Sequence, residues 1–496
     1  MFKIIPVLFV FLVVWTTNSV FADIVCPDAP FTRPADTDQW TWYPNNFTGT
    51  QPPMFNNDFN CYYKINVPVG WSADVMLTVN VTNAHDFSVS VQVFDQNHNR
   101  EVVRSASSEH FFFVAGNGTI QLDTRDKNIM FGFAIKWWQL PTFDPTPGNV
   151  TLNAPQPLVW WAQTDSAYQI KAETHVSLVV TPPNDYTELG NLRRMIIYDG
   201  PDLNSPCLGN ALKVLNSNKQ LVSTGQYLTV SPVRPYYYNT GRAMLIFQEY
   251  QNTKDIVEYQ GFACVTSSFC GLVSLDAMQG PSAVSTVNDD RKAEYLTQVS
   301  GSGRLDVYIG GQTITKANLI TSYQLYNVSS YLPQEFIGEM RTYVLTGGSA
   351  QLVLTRNSMN FTSPSPVGRK GFMASRYYKY GQPMKDNDVY DNIAAPFNEL
   401  RTFSINIREV DFVGNTTLSV TVNNGATRAY DQTFTSSNKP TLHTVIQARG
   451  NSLSVGYQTY GNPTTGYYLD FELSSSSPGL KVFLIVLCSL IFFGNN

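Results

Sequence analysis

Histidine is scarce in this chain, with 5 in 496 residues. His85, His98, His110, His175 and His443 show no His-Glu-x-x-His or other short ligand spacing, which excludes the usual signature of a zinc hydrolase. Charge is thin as well, since Asp, Glu, Lys and Arg make up 14% of the residues, and 33 basic against 38 acidic side chains leave a net charge of −5. A general nucleic-acid binder needs a cationic surface, so that class is excluded. Long apolar runs are missing: Ile4 to Trp15 and Val482 to Phe493 each hold about a dozen residues, or about 18 Å of helix against roughly 30 Å of bilayer hydrocarbon. No nucleophile elbow is complete, because Gly301-Ser302-Gly303 lacks the leading Gly-x and Gly347-Gly348-Ser349-Ala350-Gln351 lacks the closing Gly. The expectation is a protein that is not an enzyme and carries no cofactor.

What the chain has is apolar and aromatic residues, 43% and 13% of the total, enough to bury several cores. Their period is two. Val75, Leu77, Val79 and Val81 alternate with Met76, Thr78 and Asn80, and Val89, Val91 and Val93 alternate with Ser88, Ser90 and Gln92, the pattern of strands with one buried face. The polar cluster Asp95 to Arg100 before Val102-Val103 predicts a hairpin. Asp199-Gly200 after Met195 to Tyr198, and Asn423-Asn424-Gly425 after Leu418, Val420 and Val422, repeat that grammar. Long amphipathic helical patterns are absent. The expected fold class is all-β, in tandem antiparallel jelly-roll sandwiches.

Both ends read as addressing signals. Lys3, the apolar run after it and Val20-Phe21-Ala22 make 1–22 a signal peptide with cleavage before Asp23. Ser474, Ser475 and Ser476 are the candidate lipid-attachment residues of a glycosylphosphatidylinositol (GPI) signal over 474–496, in which a short spacer precedes an apolar tail. Five cysteines then face an oxidising lumen. Locality favours Cys26 with Cys61, and Cys207 with Cys264 second. Cys270 is left to stay a thiol, to exchange places with Cys264, or to bridge two chains as a disulfide-linked dimer. Seven sequons, at Asn46, Asn80, Asn117, Asn149, Asn327, Asn360 and Asn415, become expected glycan sites in that compartment.

Proline-rich 141–157, the turn at Cys270-Gly271 and polar 377–391 suggest boundaries, giving domains at 23–140, 150–270, 271–380 and 385–473. Asn60-Cys61-Tyr62-Tyr63-Lys64-Ile65-Asn66-Val67-Pro68-Val69-Gly70-Trp71, with Phe111 to Gly116 and Phe131-Gly132-Phe133, closely resembles the nematode CUB-like domain family. Ile197-Tyr198-Asp199-Gly200-Pro201-Asp202, Cys207-Leu208-Gly209 and Tyr259 to Cys264 look like the strand and closing pieces of an ordinary CUB domain. The resemblance implies antiparallel sandwiches in an extracellular, often membrane-raft-associated protein linked to innate immune defence.

Two constellations are weighed for ligands. Asp386, Asp388 and Asp391 could line a calcium loop, but Tyr390 stands where an oxygen ligand is needed and no Glu closes the loop, so a solvated turn is expected. In the second domain Glu188 remains as a possible ligand, yet Arg193 occupies the place of the family's calcium carboxylate, with Arg194 beside it, so no metal is expected there. Aromatics cluster at Trp40, Trp42 and Tyr43, at Trp137-Trp138, at Trp160-Trp161 and at Tyr236-Tyr237-Tyr238. Neighbours on a strand face opposite ways, so some of these rings meet another domain, a sugar or a protein. Trp160 and Trp161 are the candidate partner-binding pair. The reading is an extracellular, membrane-anchored binding protein for a protein or glycan. Its alternatives are a structural or adhesive surface protein and an accessory protein of a secreted hydrolase.

Overall fold

The structure, a computed structural model, describes residues 25–475 apart from 46, 48, 50, 82–89, 104–106, 127, 163–165, 234–241, 265–268, 289–292, 359–360, 362–363 and 397–398. Both addressing segments therefore lie outside the described residues, Ser474 and Ser475 excepted. The chain divides into two compact units, Met1–Leu140 and Pro141–Asn496, each built mostly of antiparallel sheet.

In the first unit one long strand, Asn60–Val81, serves two layers. Asn60 to Val67 pair with Asp123 to Gly116, and Ser72 to Val79 pair with Val114 to Ser107. Between these stretches Pro68 to Trp71 oppose the single residue Ala115. Proline offers no N–H to a ladder, and Gly70 takes φ +80°, so pairing stops and the strand bends there. Its second half then joins strand Ile129–Gln139, while Val91–Phe94 continues the other layer. Alternate residues of both halves, Tyr63, Ile65 and Val67 with Val75, Leu77 and Val79, meet in one buried cluster. The predicted hairpin is present: Val91–Phe94 pairs with Arg100–Val103, and Asp95 Oδ1 accepts from the amides of Asn97 (2.9 Å) and Asn99 (2.8 Å).

The second unit is three sandwiches in series. The first stacks a four-stranded sheet (Leu158–Trp161, Met244–Glu249, Val176–Val180, Leu221–Val222) on a five-stranded one (Cys207–Asn210, Met195–Tyr198, Tyr227–Pro232, Tyr168–Ala172, Thr146–Val150). The middle one pairs Glu258–Ala263, Ser282–Val287, Met340–Thr346, Arg304–Ile309 and Leu319–Gln324 with a sheet of Phe269–Asp276, Ser349–Thr355, Glu294–Gly301 and Gln334–Phe336. In the last, Lys370–Ala374, Tyr467–Ser474, Arg401–Val410 and Val445–Gly450 face Val389–Ala394, Ser452–Gln458, Thr417–Asn424 and Thr427–Phe434. Among the described residues the single α-helix is Ala211–Ser217, capped by Asn210 Oδ1 on the Lys213 amide at 3.0 Å.

Two boundaries differ from expectation. Glu258–Ala263 does not close the sandwich before it; it pairs in parallel with Ser282–Val287, as an edge strand of the next. Lys370–Ala374 likewise belongs to the last sandwich, through Tyr467–Ser474. Both strands sit at seams, where sequence signals end one domain and structure begins another.

The cysteines need a correction too. Cys26 and Cys61 are bridged, with Cα atoms 5.6 Å apart. The expected Cys207–Cys264 pair is not formed. Cys207 opens a strand of the first sandwich, whereas Cys264 follows an edge strand of the middle one and reaches Cys270, six residues on, at a Cα distance of 4.9 Å. Cys270 is thereby paired within the chain, with Cys264 itself, so none of the three alternatives left to it (a thiol, exchange with Cys264, a bridge between two chains) is the one formed. Cys207 takes part in neither disulfide.

Candidate functional site

The first and middle sandwiches of the second unit are fused through the outer faces of two sheets. Val179, Met244 and Ile246 pack on Ala283, Val287, Tyr308, Met340 and Val344. Inside this apolar seam the Tyr259 hydroxyl is satisfied by Gln248 Nε2 (2.6 Å) and Ser285 Oγ (2.8 Å). The Gly261 backbone presses so closely on its neighbour that a Cβ there would lie 2.6 Å from the Val180 carbonyl oxygen.

Strand Leu158–Trp161 runs along the rim of this seam, paired with Met244–Glu249. Its alternation turns the two tryptophans to opposite faces, although both border the recess described next. Trp160 turns inward, its ring 4.2 Å from that of Tyr168 and 5.9 Å from that of Phe247. Val159 packs against the seam, and Trp161, two residues further on, lines a recess of about 390 Å³ with 38% of its surface exposed. Gln156, Asn288, Glu339 and Tyr380 complete the recess, with Met244 and Met340 among its apolar lining. The segment before it is clamped in place. The Gly311 amide donates to the Pro155 carbonyl at 2.9 Å, and a Cβ on Gly310 or Gly381 would lie 2.0 Å from that oxygen or 2.6 Å from Pro155 Cγ. Pro155 thus stands where all three sandwiches of the unit meet.

A larger trough of about 810 Å³ lies beside the same two sandwiches, where the edge strands Glu258–Ala263 and Phe269–Asp276 run close together. Gln260 Nε2 bridges them by donating to the Ser274 carbonyl at 2.9 Å. Exposed Tyr186 and Leu272 line it with Glu258, Asp276 and Gln351, and among the described residues no lysine or arginine does. Sequence reading missed this trough, because its residues come from six separate segments.

The middle and last sandwiches share buried polar groups. Gln334, wholly buried, donates to the Phe372 carbonyl (3.0 Å) and accepts from the Phe372 amide (3.2 Å), so its amide stands in for a missing strand neighbour. Glu335 accepts from the Tyr295 hydroxyl at 2.7 Å, and Asp391 from that of Tyr467 at 3.4 Å. Glu335 and Asp391 also hydrogen-bond each other. Burial raises both carboxyls above their ordinary range, and the Glu335 charge opposes ionisation of Asp391 further. Burial pushes the Tyr295 and Tyr467 hydroxyls up as well, so both remain donors.

The remaining sequence candidates are scattered. Asp388 accepts from the amide (2.6 Å) and hydroxyl (2.7 Å) of Thr459, Asp391 lies in the interface just described, and Glu188 is held by Asn191. Among the described residues no group of three or more His, Cys, Asp or Glu is placed to hold a metal ion. Arg193 and Arg194 are buried at the end of the 3-10 helix Tyr186–Arg194. Trp137 is in the core of the first unit, while Lys136 lies over the Trp138 ring at 4.8 Å. His110 Nδ1 meets the buried Asp74 at 2.6 Å, a cross-strand pair that spacing along one strand could not reveal. Asn80, Asn117, Asn149, Asn327 and Asn415 are exposed. Asn46, Asn360, His85, Tyr236 to Tyr238 and Ser476 lie outside the described residues. Ser474 ends the last strand and Ser475 follows it, exposed. No described helix is long and apolar enough to cross a membrane.

Residues 22–141, the first unit, match the family described as CUB-like domain. Residues 149–233 and 251–357 match two families described as domains of unknown function, DUF7592 and DUF7591. The segment expected to be a second CUB domain therefore matches a different family over its first part. No curated protein matches the chain. Similar solved structures include the CUB1-EGF-CUB2 domain of human MASP-1/3, at 9% identity over 42% of this chain and 100% of that one, with a TM-score of 0.17. The CUB1-EGF-CUB2 domains of rat MASP-1 match at 9% over 43% and 100%, TM-score 0.17. A triple jelly-roll structure from the turret assembly of an archaeal virus matches at 11% over 88% and 87%, TM-score 0.16. A CUB-like domain points to an extracellular binding or adhesion-type protein.

Proposed function

We propose that this is a cell-surface binding protein, held by a lipid anchor attached within Ser474 to Ser476, that recognises a protein or glycan in innate defence. The observation that carries the reading is the CUB-like match of residues 22–141. It is supported by two bridges within the chain and by exposed sequons, which suit an oxidising, glycosylating compartment. The recess and the trough supply concave surfaces of the size that ligands occupy. Chemistry on the ligand is no part of this reading. The test is a pull-down with the soluble ectodomain, residues 23–473, against microbial surface glycans and host surface proteins. Saturable capture of either is expected, and failure with both would refute it. The anchor is tested separately: phosphatidylinositol-specific phospholipase C should release the protein from intact cells, and retention alongside a released control would reject it.

A further inference from the structure

The large trough is one arm of a longer groove, and we propose that this groove holds an extended peptide of a partner protein, with an apolar side chain over Leu272 and a lysine or arginine between Glu258 and Asp276. The proposal rests on the binding-protein reading above and takes its protein branch. Shape is the first argument. Along Phe269–Asp276 the residues alternate, Val273 and Leu275 into the core of the middle sandwich and Leu272, Ser274 and Asp276 outward. That outer face is uncovered, with Leu272 54% exposed. The trough of about 810 Å³ lies over it, and a second hollow of about 510 Å³ shares Leu272, Ser300 and Gln351 with the trough and continues to Leu332. Two such hollows in series exceed the roughly 300–1,000 Å³ of a compact small-ligand site and suit a chain. Tyr186, 71% exposed, stands on the wall that the first sandwich contributes.

Charge is the second argument. Glu258 and Asp276 are the charged residues among the described lining of both hollows, and no lysine or arginine there offsets them. The strand geometry brings them together. Gln260 meets Ser274, and a Cβ on Gly271 would press on the Phe262 ring, so the two edge strands run antiparallel and Glu258 and Asp276 share one end. Residues 265–268, outside the described ones, join the strands at the other end, about 20 Å away at roughly 3.3 Å per residue. The Met278 amide donates to Asp276 Oδ1 at 3.0 Å, which fixes that carboxylate and leaves its second oxygen for a cation. The ligand lies on the face rather than lengthening the sheet, because Gln260 already occupies the Ser274 carbonyl on the free edge. Ser274, Ser300, Ser349 and Gln351 then offer hydroxyls and an amide that both donate to and accept from a peptide backbone. Leu272 and Asp276 are four residues apart on one strand, about 13 Å, so an extended ligand carries its apolar and basic residues four positions apart.

The experiment is fluorescence anisotropy of the soluble ectodomain with short labelled peptides of serine and threonine that carry one leucine and one lysine, set two, four or six positions apart. The four-position peptide should bind best, its lysine-to-glutamate version should not bind, and added salt should weaken the complex. Glu258→Gln combined with Asp276→Asn should weaken binding by about tenfold, since two exposed ion pairs contribute modestly each. Leu272→Ser should weaken it several-fold, and thermal melts that match the wild type confirm that the variants fold. Equal binding of the lysine and glutamate peptides, no binding by any peptide, or full binding by the double variant overturns the proposal. Spermidine competing as well as the peptide would reduce the site to charge alone and also overturns it. If a partner is still captured in the pull-down by the double variant while every peptide fails, the groove assignment falls and the binding-protein reading stands.

Discussion

Arg341 and Glu294 form an ion pair from which solvent is wholly excluded, with Arg341 Nη1 3.6 Å from Glu294 Oε2 and both side chains 0% exposed. The pair is embedded in hydrogen bonds. Glu294 Oε1 accepts from the Tyr343 hydroxyl (2.7 Å) and from Thr286 Oγ1 (3.0 Å), and Arg341 Nη2 donates to the Gly338 carbonyl (2.6 Å). Removing one partner leaves the other charge buried and uncompensated, at a cost of about 3–5 kcal/mol. Arg341→Met should therefore lower the urea midpoint of the second unit strongly. Adding Glu294→Gln should restore much of the loss, because the stranded charge is gone. A double variant no more stable than the single one would show that the arginine acts by packing alone.

The neighbouring acids titrate in the opposite sense from an ordinary salt-bridged carboxylate. Glu335 and Asp391 have raised pKa values, so the folded state keeps a proton that the unfolded chain releases. As pH rises above the usual carboxylate range, stability falls by up to about 1.4 kcal/mol per pH unit for each proton so retained, until the raised pKa is passed. The protein should melt higher at pH 5 than at pH 8, with Tyr295, Tyr467 and Arg341 as the facing groups. Asp391→Asn should flatten that slope and raise the melting temperature at pH 8. A melting temperature that rises from pH 5 to pH 8 in the wild type, or a slope that Asp391→Asn leaves unchanged, would contradict the shared proton.

Non-reducing peptide mapping should yield Cys26 linked to Cys61 and Cys264 linked to Cys270, with Cys207 in neither fragment. Closing the 35-residue separation of the first bridge is worth roughly 3.5 to 4 kcal/mol in the chain-entropy account, and closing the separation of 6 in the second about 2 kcal/mol. Cys61→Ser should thus destabilise its domain more than Cys270→Ser destabilises the middle sandwich. A Cys207–Cys264 peptide would contradict the Cys264–Cys270 bridge.

Chelation gives the next measurement. A cation held at 100 times its dissociation constant contributes about 2.7 kcal/mol, which moves the midpoint of a small domain by more than about 10 °C. With no group of three or more His, Cys, Asp or Glu placed to hold a metal among the described residues, and Asp388 committed to Thr459, EDTA is expected to leave the melting curve in place. A drop reversed by calcium would point to Glu188 and the aspartates near residue 388.

Strand existence is legible in the sequence wherever one face is buried. Thr417–Asn424 alternates without exception, with Leu418, Val420 and Val422 inward, and Gly425 at φ +59° completes the turn that Asn423-Asn424-Gly425 announces. Strand membership is another matter. Glu258–Ala263 has the same alternation whichever sandwich it joins, and its partner is fixed by a parallel register to Ser282–Val287 that no local pattern encodes. The candidate site divides in the same way. Period two predicts that Trp160 and Trp161 part company, but Asn288, Glu339 and Tyr380 reach the recess through the packing of three sandwiches. Cys207 and Cys264 are separated for a related reason: proximity in a list of cysteines is weaker evidence than the edge on which each one sits.

The last sandwich also has a mechanical character. Lys370 stands opposite Glu472 in an antiparallel ladder, so the strand that enters this sandwich and the strand that leaves it meet at the same end. Tension applied beyond Ser475 is then borne by both neighbours of Tyr467–Ser474, Lys370–Ala374 on one side and Arg401–Val410 on the other, within one sheet. The hydrogen bonds along that line are loaded one after another, as in a zipper, rather than together in shear. Under a pull from a surface tether, the first pairings loaded are those at this end, Glu472 with Lys370 and Ser474 with Thr402.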